Sequence, residues 1–204
     1  MAFKPILFNT DMVQAILDDR KTITRRLIKA KGKRYENESV GDWCIRWGHK
    51  SPYSVGDYLY VRESFMQTSH KRRIYKADYS LKELQFFKES GMKWTPSIHM
   101  PSTASRIYLE VTDVYAQELQ DITEEQALKE GVFKNSNGNY SYQREWDIHG
   151  HDKEWTESAR DCFLWGCWNS TLDKKSYKLH NWQTNPYVWV IEFRRLKDNE
   201  IIFY

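Results

Sequence analysis

Basic side chains are concentrated in one short stretch of the chain. Eight Lys and Arg residues lie between Arg20 and Arg34, and no Asp or Glu separates them. The 204-residue chain has a net charge of only +3, so the rest of it carries +3 − 8 = −5. A local basic patch on a mildly acidic body is suited to an anion such as phosphate. A solvated basic turn is the alternative, and charge alone favours that alternative.

Arginine side chains supply the most specific candidate anion ligands. The planar guanidinium group forms paired hydrogen bonds with phosphate, which makes Arg25, Arg26 and Arg62 candidate substrate-binding residues, together with Arg20 at the start of the basic stretch. Surface ion pairing is the other interpretation of the same residues.

Aromatic side chains make up 15% of the chain. Tyr58 and Tyr60 alternate on a predicted strand, and Trp43 and Trp47 lie nearby in the sequence. Any of the four could stack on a nucleic-acid base. Alternating aromatics on a strand are also typical of core or cross-strand pairs. The sequence therefore predicts a stacking residue without deciding which one it is.

Metal-ligating residue types occur in two places. The three cysteines, Cys44, Cys162 and Cys167, are odd in number and lack a complete zinc ligand set, which indicates buried thiols in a reducing compartment. A His-x-His cluster could bind a transition metal, but such sets are more often ordinary polar loops. Its members are Asp147, His149, His151 and Asp152. We predict no metal and no cofactor.

Hydrophobic patterning predicts short strands with intervening helices. The stretches after Gly41-Asp42 and Gly56-Asp57 both indicate a turn that feeds a strand. Helix starts are predicted from capping patterns at Asp11 and at Thr123, and a third helix is predicted from Trp155. Further strands are predicted over 3–8, 22–28, 107–114 and 186–193. Together these elements favour an α+β fold, a small β-barrel with flanking helices.

No stretch of the sequence is long and apolar enough to span a membrane, and the first ten residues do not resemble a signal peptide. The expected location is therefore the cytoplasm.

The segment Ala15–Arg26 resembles the signature of ASCH-domain proteins of the PUA-like superfamily, in which a helix precedes Gly-Arg/Lys-Lys-Thr-x-Thr-Arg. Asp19 stands where that family usually has Gly. Three later stretches resemble the family's turn and strand, second helix and closing strand, in the family order: 55–61, 119–131 and 188–193. The resemblance implies one ASCH β-barrel domain over 1–204, with insertions at about 63–105 and 132–180. The overall sequence resembles phage and prophage proteins, which implies a bacterial host cytoplasm.

Small bacterial members that the chain resembles include N4-acetylcytidine amidohydrolases. The resemblance implies that Lys21, Thr24 and Glu130 are the catalytic residues here. Amide hydrolysis needs a nucleophile, a base and a means to stabilise an oxyanion. Thr24 offers the hydroxyl, and Lys21 could be the base only as a neutral amine. Nearby arginines favour loss of its proton by like-charge repulsion, whereas Glu130 opposes it and is better suited to orient Lys21 or shuttle a proton.

Glu63, at the end of the second Gly-Asp strand, is a rival acid. Three hypotheses follow: an amidohydrolase acting on N4-acylated cytosine, a non-catalytic module that binds RNA or a modified base, and a ribonuclease. In each case the expected partner is RNA, a nucleoside or a nucleotide. No interaction with a membrane is expected.

Overall fold

We describe the fold from a computed structural model, which describes residues 3–29, 32–68, 72–134, 138–142 and 158–201. The strands are β1 (Phe3–Leu7), β2 (Ile23–Leu27), β3 (Tyr58–Arg62), β4 (Phe65–Gln67), β5 (Arg73–Tyr75), β6 (Tyr108–Glu118), β7 (Phe133–Lys134), β8 (Tyr140–Ser141) and β9 (Tyr187–Arg195). The α-helices are α1 (Thr10–Leu17), α2 (Val40–Trp47), α3 (Leu81–Glu89), α4 (Glu124–Lys129), α5 (Ala159–Cys162) and α6 (Lys174–His180).

One five-stranded sheet forms the centre of the α/β fold, in the order β1-β3-β6-β9-β2. β1 and β3 run parallel, and the other neighbouring pairs are antiparallel. β4 pairs with β5 and β7 with β8 in two small separate hairpins. The apolar side chains of β3, β6 and β9, with those of α1, form the main core, and Leu59, Leu109 and Val190 are fully buried there.

The predicted closed β-barrel is wrong for the described residues, because their central sheet is open between β1 and β2. Side chains take the hydrogen-bonding places of a neighbouring strand on β1. The Pro5 carbonyl accepts from the Tyr53 hydroxyl at 2.7 Å, and the Leu7 carbonyl accepts from Arg26 Nη2 at 2.8 Å. Pro5 itself has no N–H to offer, which suits an edge strand. β1 is therefore satisfied without pairing with β2.

The predicted strand after Gly41-Asp42 is also wrong, because α2 occupies those residues. Ser39 caps this helix, and its hydroxyl accepts from the Asp42 amide at 3.0 Å. The Gly56-Asp57 turn does lead into a strand, β3, as predicted. Both stretches read Ser-Val-Gly-Asp, and they differ in the backbone of the glycine: Gly41 lies within α2, whereas Gly56 has a left-handed φ of +82° and forms a turn.

Helix caps follow the predictions in part. α1 begins one residue before Asp11, and its cap is Asn9, whose side chain accepts from the Met12 amide at 2.8 Å. The predicted capping box of Thr123 and Gln126 on α4 is confirmed. Just after α1, Asp19 has φ +57°, a left-handed conformation that Asp tolerates better than most residues.

The predicted insertions contain defined structure. The first carries β4, β5 and α3. The second carries β7, β8 and α5, which continues as a π-helix over Phe163–Trp168. The helix predicted from Trp155 therefore begins, within the described residues, at Ala159 behind the cap Ser158. None of the described helices combines the length and the apolar character that a membrane span requires.

Gly131 occupies a tight place at the end of α4, and we predict that Gly131→Ala strongly destabilises the fold. Gly131 has φ +110°, and a Cβ would lie 2.8 Å from the Cβ of Ala15. Backbone strain and steric overlap should together lower the free energy of unfolding by roughly 2–5 kcal/mol. Gly91→Ala is the matched control, because Gly91 has φ +72° but nothing within 4 Å of an added Cβ. Chemical denaturation should show that the control loses only about 1 kcal/mol of unfolding free energy. Equal losses in the two variants would contradict the argument that Gly131 is tightly packed.

Candidate functional site

Backbone contacts bring Lys21 and Glu130 together although 109 residues separate them. The Lys21 amide donates to the Ala15 carbonyl at the end of α1. The backbone of Thr22 forms hydrogen bonds with two other segments. Its amide donates to the Lys129 carbonyl at 2.8 Å, and its carbonyl accepts from the Phe193 amide at 2.8 Å. An isolated β-bridge then joins Lys21 to Glu130. The end of α4 is thereby held against the start of β2.

Lys21 and Glu130 form an ion pair that is sealed from solvent. Lys21 Nζ lies 2.5 Å from Glu130 Oε2, and the side chains are 0% and 2% exposed. The same ammonium group donates to the carbonyl of Glu130 at 2.9 Å and to the carbonyl of Ile23 at 2.8 Å. An ammonium group has three protons, so all of its donors are used. Lys21 is therefore held in one fixed place.

Arg25 is a second buried cation on the same carboxylate. Its Nη1 donates to Glu130 Oε1 at 2.9 Å, and its side chain is 1% exposed. Its Nη2 donates to Gln126 Oε1 at 2.8 Å, and Gln126 Nε2 donates to the Tyr115 hydroxyl at 2.8 Å. The Arg25 guanidinium also lies over the ring of Phe163, 5.7 Å from its centre. Each oxygen of Glu130 is thus assigned to a different cation.

The buried cluster of Lys21, Arg25 and Glu130 carries unbalanced charge. Two cationic side chains share one carboxylate, which leaves an excess of one positive charge in a site of low dielectric constant. Charge interactions in such a site are much stronger than in water. The cluster is therefore suited to stabilise a negative charge that enters or develops beside it.

Thr24 lies on the same strand and is 1% exposed. It pairs with Ile191 of β9, whereas Arg25 pairs with Val190. Because neighbouring residues on a strand point to opposite faces, Thr24 and Arg25 face different sides of the sheet. The structure thus brings Lys21, Glu130 and Arg25 together, and it places Thr24 in the adjoining part of β2 on the other face.

The second predicted insertion covers this cluster. Phe163 and Cys167 of the π-helix and Tyr142, just after β8, are all buried there. Burial raises the pKa of the Cys167 thiol to about 11, and the charges of Lys21 and Glu130 act on it in opposite directions. Burial also raises the pKa of Tyr142 well above its usual range. Both groups therefore stay protonated at neutral pH.

Sequence reasoning missed this cover and the relay through Gln126. Gln126 was predicted only as a capping residue, but its Oε1 accepts from both the Thr123 amide at 3.2 Å and Arg25. The pattern around the π-helix gave one usable signal. Ala159, Cys162, Phe163 and Gly166 fall on one face of the helix predicted from Trp155, but what that face covers depends on contacts with β2.

The other two arginines of the signature, Arg20 and Arg26, form hydrogen bonds at the edges of the buried cluster. Arg20 donates to the Gly131 carbonyl and to Asp18 Oδ2, the latter from Nη2 at 3.0 Å. Burial lowers the pKa of its guanidinium group. Arg26 donates to the carbonyl of Leu7 and lies 5.3 Å from the centre of the Phe8 ring.

The remaining predicted site residues lie on β3 or directly after it, and β6 and β9 separate that strand from β2. Tyr58 packs edge-on against Phe3, with ring centres 5.8 Å apart, and Tyr60 pairs with Pro5. Arg62 donates to the Ile98 carbonyl. The structure therefore does not bring these residues into the hydrogen-bond network of Lys21.

Glu63 is buried and bound to Arg106. Arg106 Nε donates to Oε1 at 2.9 Å, and Nη2 donates to Oε2 at 3.1 Å. Burial raises the pKa of Glu63, and Arg106 opposes that shift. Both carboxylate oxygens are engaged by one guanidinium group, so the rival acid is part of a separate ion pair.

Among the predicted stacking residues, Trp43 is buried and Trp47 is about half exposed. The His-x-His cluster at 147–152 lies outside the described residues. Within the described ranges, no group of three or more His, Cys, Asp or Glu is placed to hold a metal ion.

A cleft of about 290 Å³ lies between α1 and the start of α3. Its lining includes the carboxylates of Asp11, Asp78 and Glu83. Such a lining repels phosphate, so this cleft is not the anion site that the basic stretch predicts.

We predict that Glu130→Gln destabilises the protein by roughly 3–5 kcal/mol, because two buried cations lose their counter-charge. Glu125→Gln is the matched control: Glu125 also pairs with a lysine, Lys129 at 2.7 Å, but its side chain is 75% exposed. No measurable change is expected there. Urea unfolding of both variants beside the wild type measures the difference. A Glu130→Gln protein as stable as the control would show that the buried network is not strongly coupled.

No protein-family model matches the chain, and no curated protein matches it either. Among solved structures, the chain is similar to the high-resolution crystal structure of an ASCH domain from Lactobacillus crispatus JV V101. The two share 14% sequence identity, the match covers 95% of this chain and 79% of the other, and the TM-score is 0.38.

Proposed function

We propose that this chain binds an N4-acylated cytosine, as a nucleoside, a nucleotide or part of RNA, and hydrolyses the acyl amide. The observation that supports this proposal is the buried excess of positive charge formed by Lys21, Arg25 and Glu130 on the strand that carries Thr24. Acyl transfer develops negative charge on the carbonyl oxygen, and a preorganised cationic site lowers the energy of that state.

The first half of the proposed reaction transfers the acyl group to Thr24. A proton moves from the Lys21 ammonium to Glu130 along the 2.5 Å contact and leaves a neutral amine. As the Thr24 oxygen attacks the acyl carbon, its hydroxyl proton passes to that amine through an intervening water molecule, because Thr24 and Arg25 face different sides of the sheet. The electron pair of the C=O bond moves onto its oxygen. When this intermediate collapses, the C–N bond breaks, and Lys21 gives its proton to the departing amino group.

The second half releases the acid. Water attacks the acyl carbon and gives a proton to the neutral Lys21 amine. The bond between Thr24 and the acyl carbon then breaks, and the Thr24 oxygen recovers a proton from Lys21. Glu130 finally returns its proton to Lys21, which restores the ion pair, and the carboxylic acid product leaves. Each proton that a group gives up is thus returned within one turnover.

We expect Thr24→Val to abolish hydrolysis of N4-acetylcytidine, because the side chain keeps its shape and loses its only nucleophilic atom. Thr22→Val is the matched control, since it removes a β-branched hydroxyl two residues earlier, and it should keep wild-type turnover. Chromatographic separation of N4-acetylcytidine from cytidine measures the rate, and circular dichroism checks the fold of both variants. Turnover by Thr24→Val at the wild-type rate would eliminate Thr24 as the nucleophile.

A non-catalytic module that binds RNA or a modified base is the second candidate. The observation that favours it is the complete use of the Lys21 protons by protein acceptors, since a fully bonded ammonium is not a free base. In this reading the ion pair shapes the fold, and exposed lysines such as Lys29 and Lys33 contact phosphate.

For this candidate we predict salt-dependent binding of a labelled single-stranded RNA. Replacing both Lys29 and Lys33 by Gln should reduce the slope of log K against log salt by about 1.4, since each phosphate contact on a single strand contributes about 0.7. Replacing Lys82 and Lys88, two exposed lysines of α3, by Gln is the charge-matched control. Fluorescence anisotropy at several salt concentrations gives the slopes. Equal slopes for the two double variants would place the RNA elsewhere.

A further inference from the structure

The Tyr142 side chain packs on Gly166 of the π-helix and lies near Lys21. A Cβ on Gly166 would lie 2.9 Å from the Tyr142 Cβ. A Cβ on Gly131 would lie 3.7 Å from Cε2 of the Tyr142 ring and 3.6 Å from the Lys21 Cβ, so Gly131 lies close to both side chains. Tyr142 itself is 3% exposed, and the charge of Glu130 acts on its hydroxyl.

The hydroxyl of Tyr142 is buried without a hydrogen-bond partner. The Cys167 thiol acts on its pKa both through charge and as a hydrogen-bonding group, but sulfur is a weak partner, and no oxygen or nitrogen atom bonds the hydroxyl among the described residues. Leaving a buried hydroxyl unpaired costs about 1–3 kcal/mol, so such groups are uncommon in native structures. A phenylalanine would fill the same space without that cost.

The same network contains a second buried donor without a partner. Arg25 Nε is unpaired, although both of the terminal nitrogens of that guanidinium group are bonded. Each acceptor atom of Glu130 already takes one hydrogen bond: Lys21 donates to Oε2 and the backbone carbonyl, and Arg25 donates to Oε1. Arg25 Nε and the Tyr142 hydroxyl are left as two buried donors that a ligand with an acceptor oxygen could satisfy.

We infer that the Tyr142 hydroxyl is a hydrogen-bond donor to the acyl carbonyl oxygen of the ligand at the Lys21–Glu130 site. This inference rests on the proposed function and adds a residue to it. During the attack by Thr24, the electron pair of the carbonyl bond moves onto the oxygen, and the hydrogen bond from Tyr142 strengthens as that charge grows. The phenolic proton stays on Tyr142 throughout, so the donor needs no proton acceptor.

Tyr142→Phe tests the inference, with Tyr140→Phe as the matched control from the same hairpin. In the N4-acetylcytidine assay, kcat of Tyr142→Phe should fall about 100-fold while KM changes little, because an oxyanion donor acts mainly in the transition state. The melting temperature of Tyr142→Phe should equal or exceed that of the wild type, since the removed hydroxyl has no partner. Tyr140→Phe should keep the wild-type kcat.

Calorimetric titration with N4-acetylcytidine supplies a readout that does not require turnover, and Tyr142→Phe should bind within about twofold of the wild type, because the donor acts mainly in the transition state. An active wild type whose Tyr142→Phe variant is equally active would overturn this inference alone and leave the proposed hydrolysis standing. A lower melting temperature that accompanies the loss of kcat would mark Tyr142 as structural and also overturn it. A wild type that neither cleaves nor binds N4-acetylcytidine would overturn both proposals.

Discussion

The buried contact between Lys21, Arg25 and Glu130 is the constraint that the surrounding structure satisfies. Removing three charged groups from water is favourable only when each of them finds partners of good geometry. Here the backbone supplies part of that geometry, because the β-bridge between Lys21 and Glu130 fixes the distance between the two backbone segments that carry these side chains. Among the described residues, Lys21 and Arg25 form ion pairs with one shared carboxylate, Glu130, so a negative charge that enters beside them would be stabilised.

The same constraint couples the end of a helix to the site. Gln126 completes the capping box of α4 with Thr123, and it also accepts from Arg25. One side chain thus fixes where α4 begins and where the Arg25 guanidinium lies. The glycine at position 131 has a comparable double role, since it ends α4 with a left-handed backbone and leaves room for Ala15 of α1. Local helix signals and the position of the buried charges are consequently not independent features of this chain.

Local patterns explain what the sequence could predict. The capping box at Thr123 and the strand at Tyr58–Arg62 depend on neighbouring residues, and both are confirmed. The sequence predicts a strand after Gly41-Asp42 because the stretch shares Ser-Val-Gly-Asp with the second turn, but Gly41 lies within a helix whereas Gly56 has a left-handed φ of +82°. The open sheet depends on which side chains reach the edge of β1, and the burial of Arg25 depends on a distant π-helix. Residue types and spacing do not encode such non-local contacts.

Within the basic stretch, the exposed lysines Lys29 and Lys33 and the buried residues Lys21 and Arg25 interact with a negative charge in different ways. Lysines in water attract phosphate through a long-range field that salt weakens, whereas Lys21 and Arg25 act over a few ångströms in a place that salt does not reach. An RNA ligand would therefore be attracted first by the exposed lysines over a long range. It would interact with the buried charges afterwards, once water has been removed from the contact. The bonds that hold Lys21 make it a poor base while they last, but they also fix its charge in place. A fixed charge needs no reorganisation when negative charge develops, which is the condition under which electrostatic catalysis is most effective.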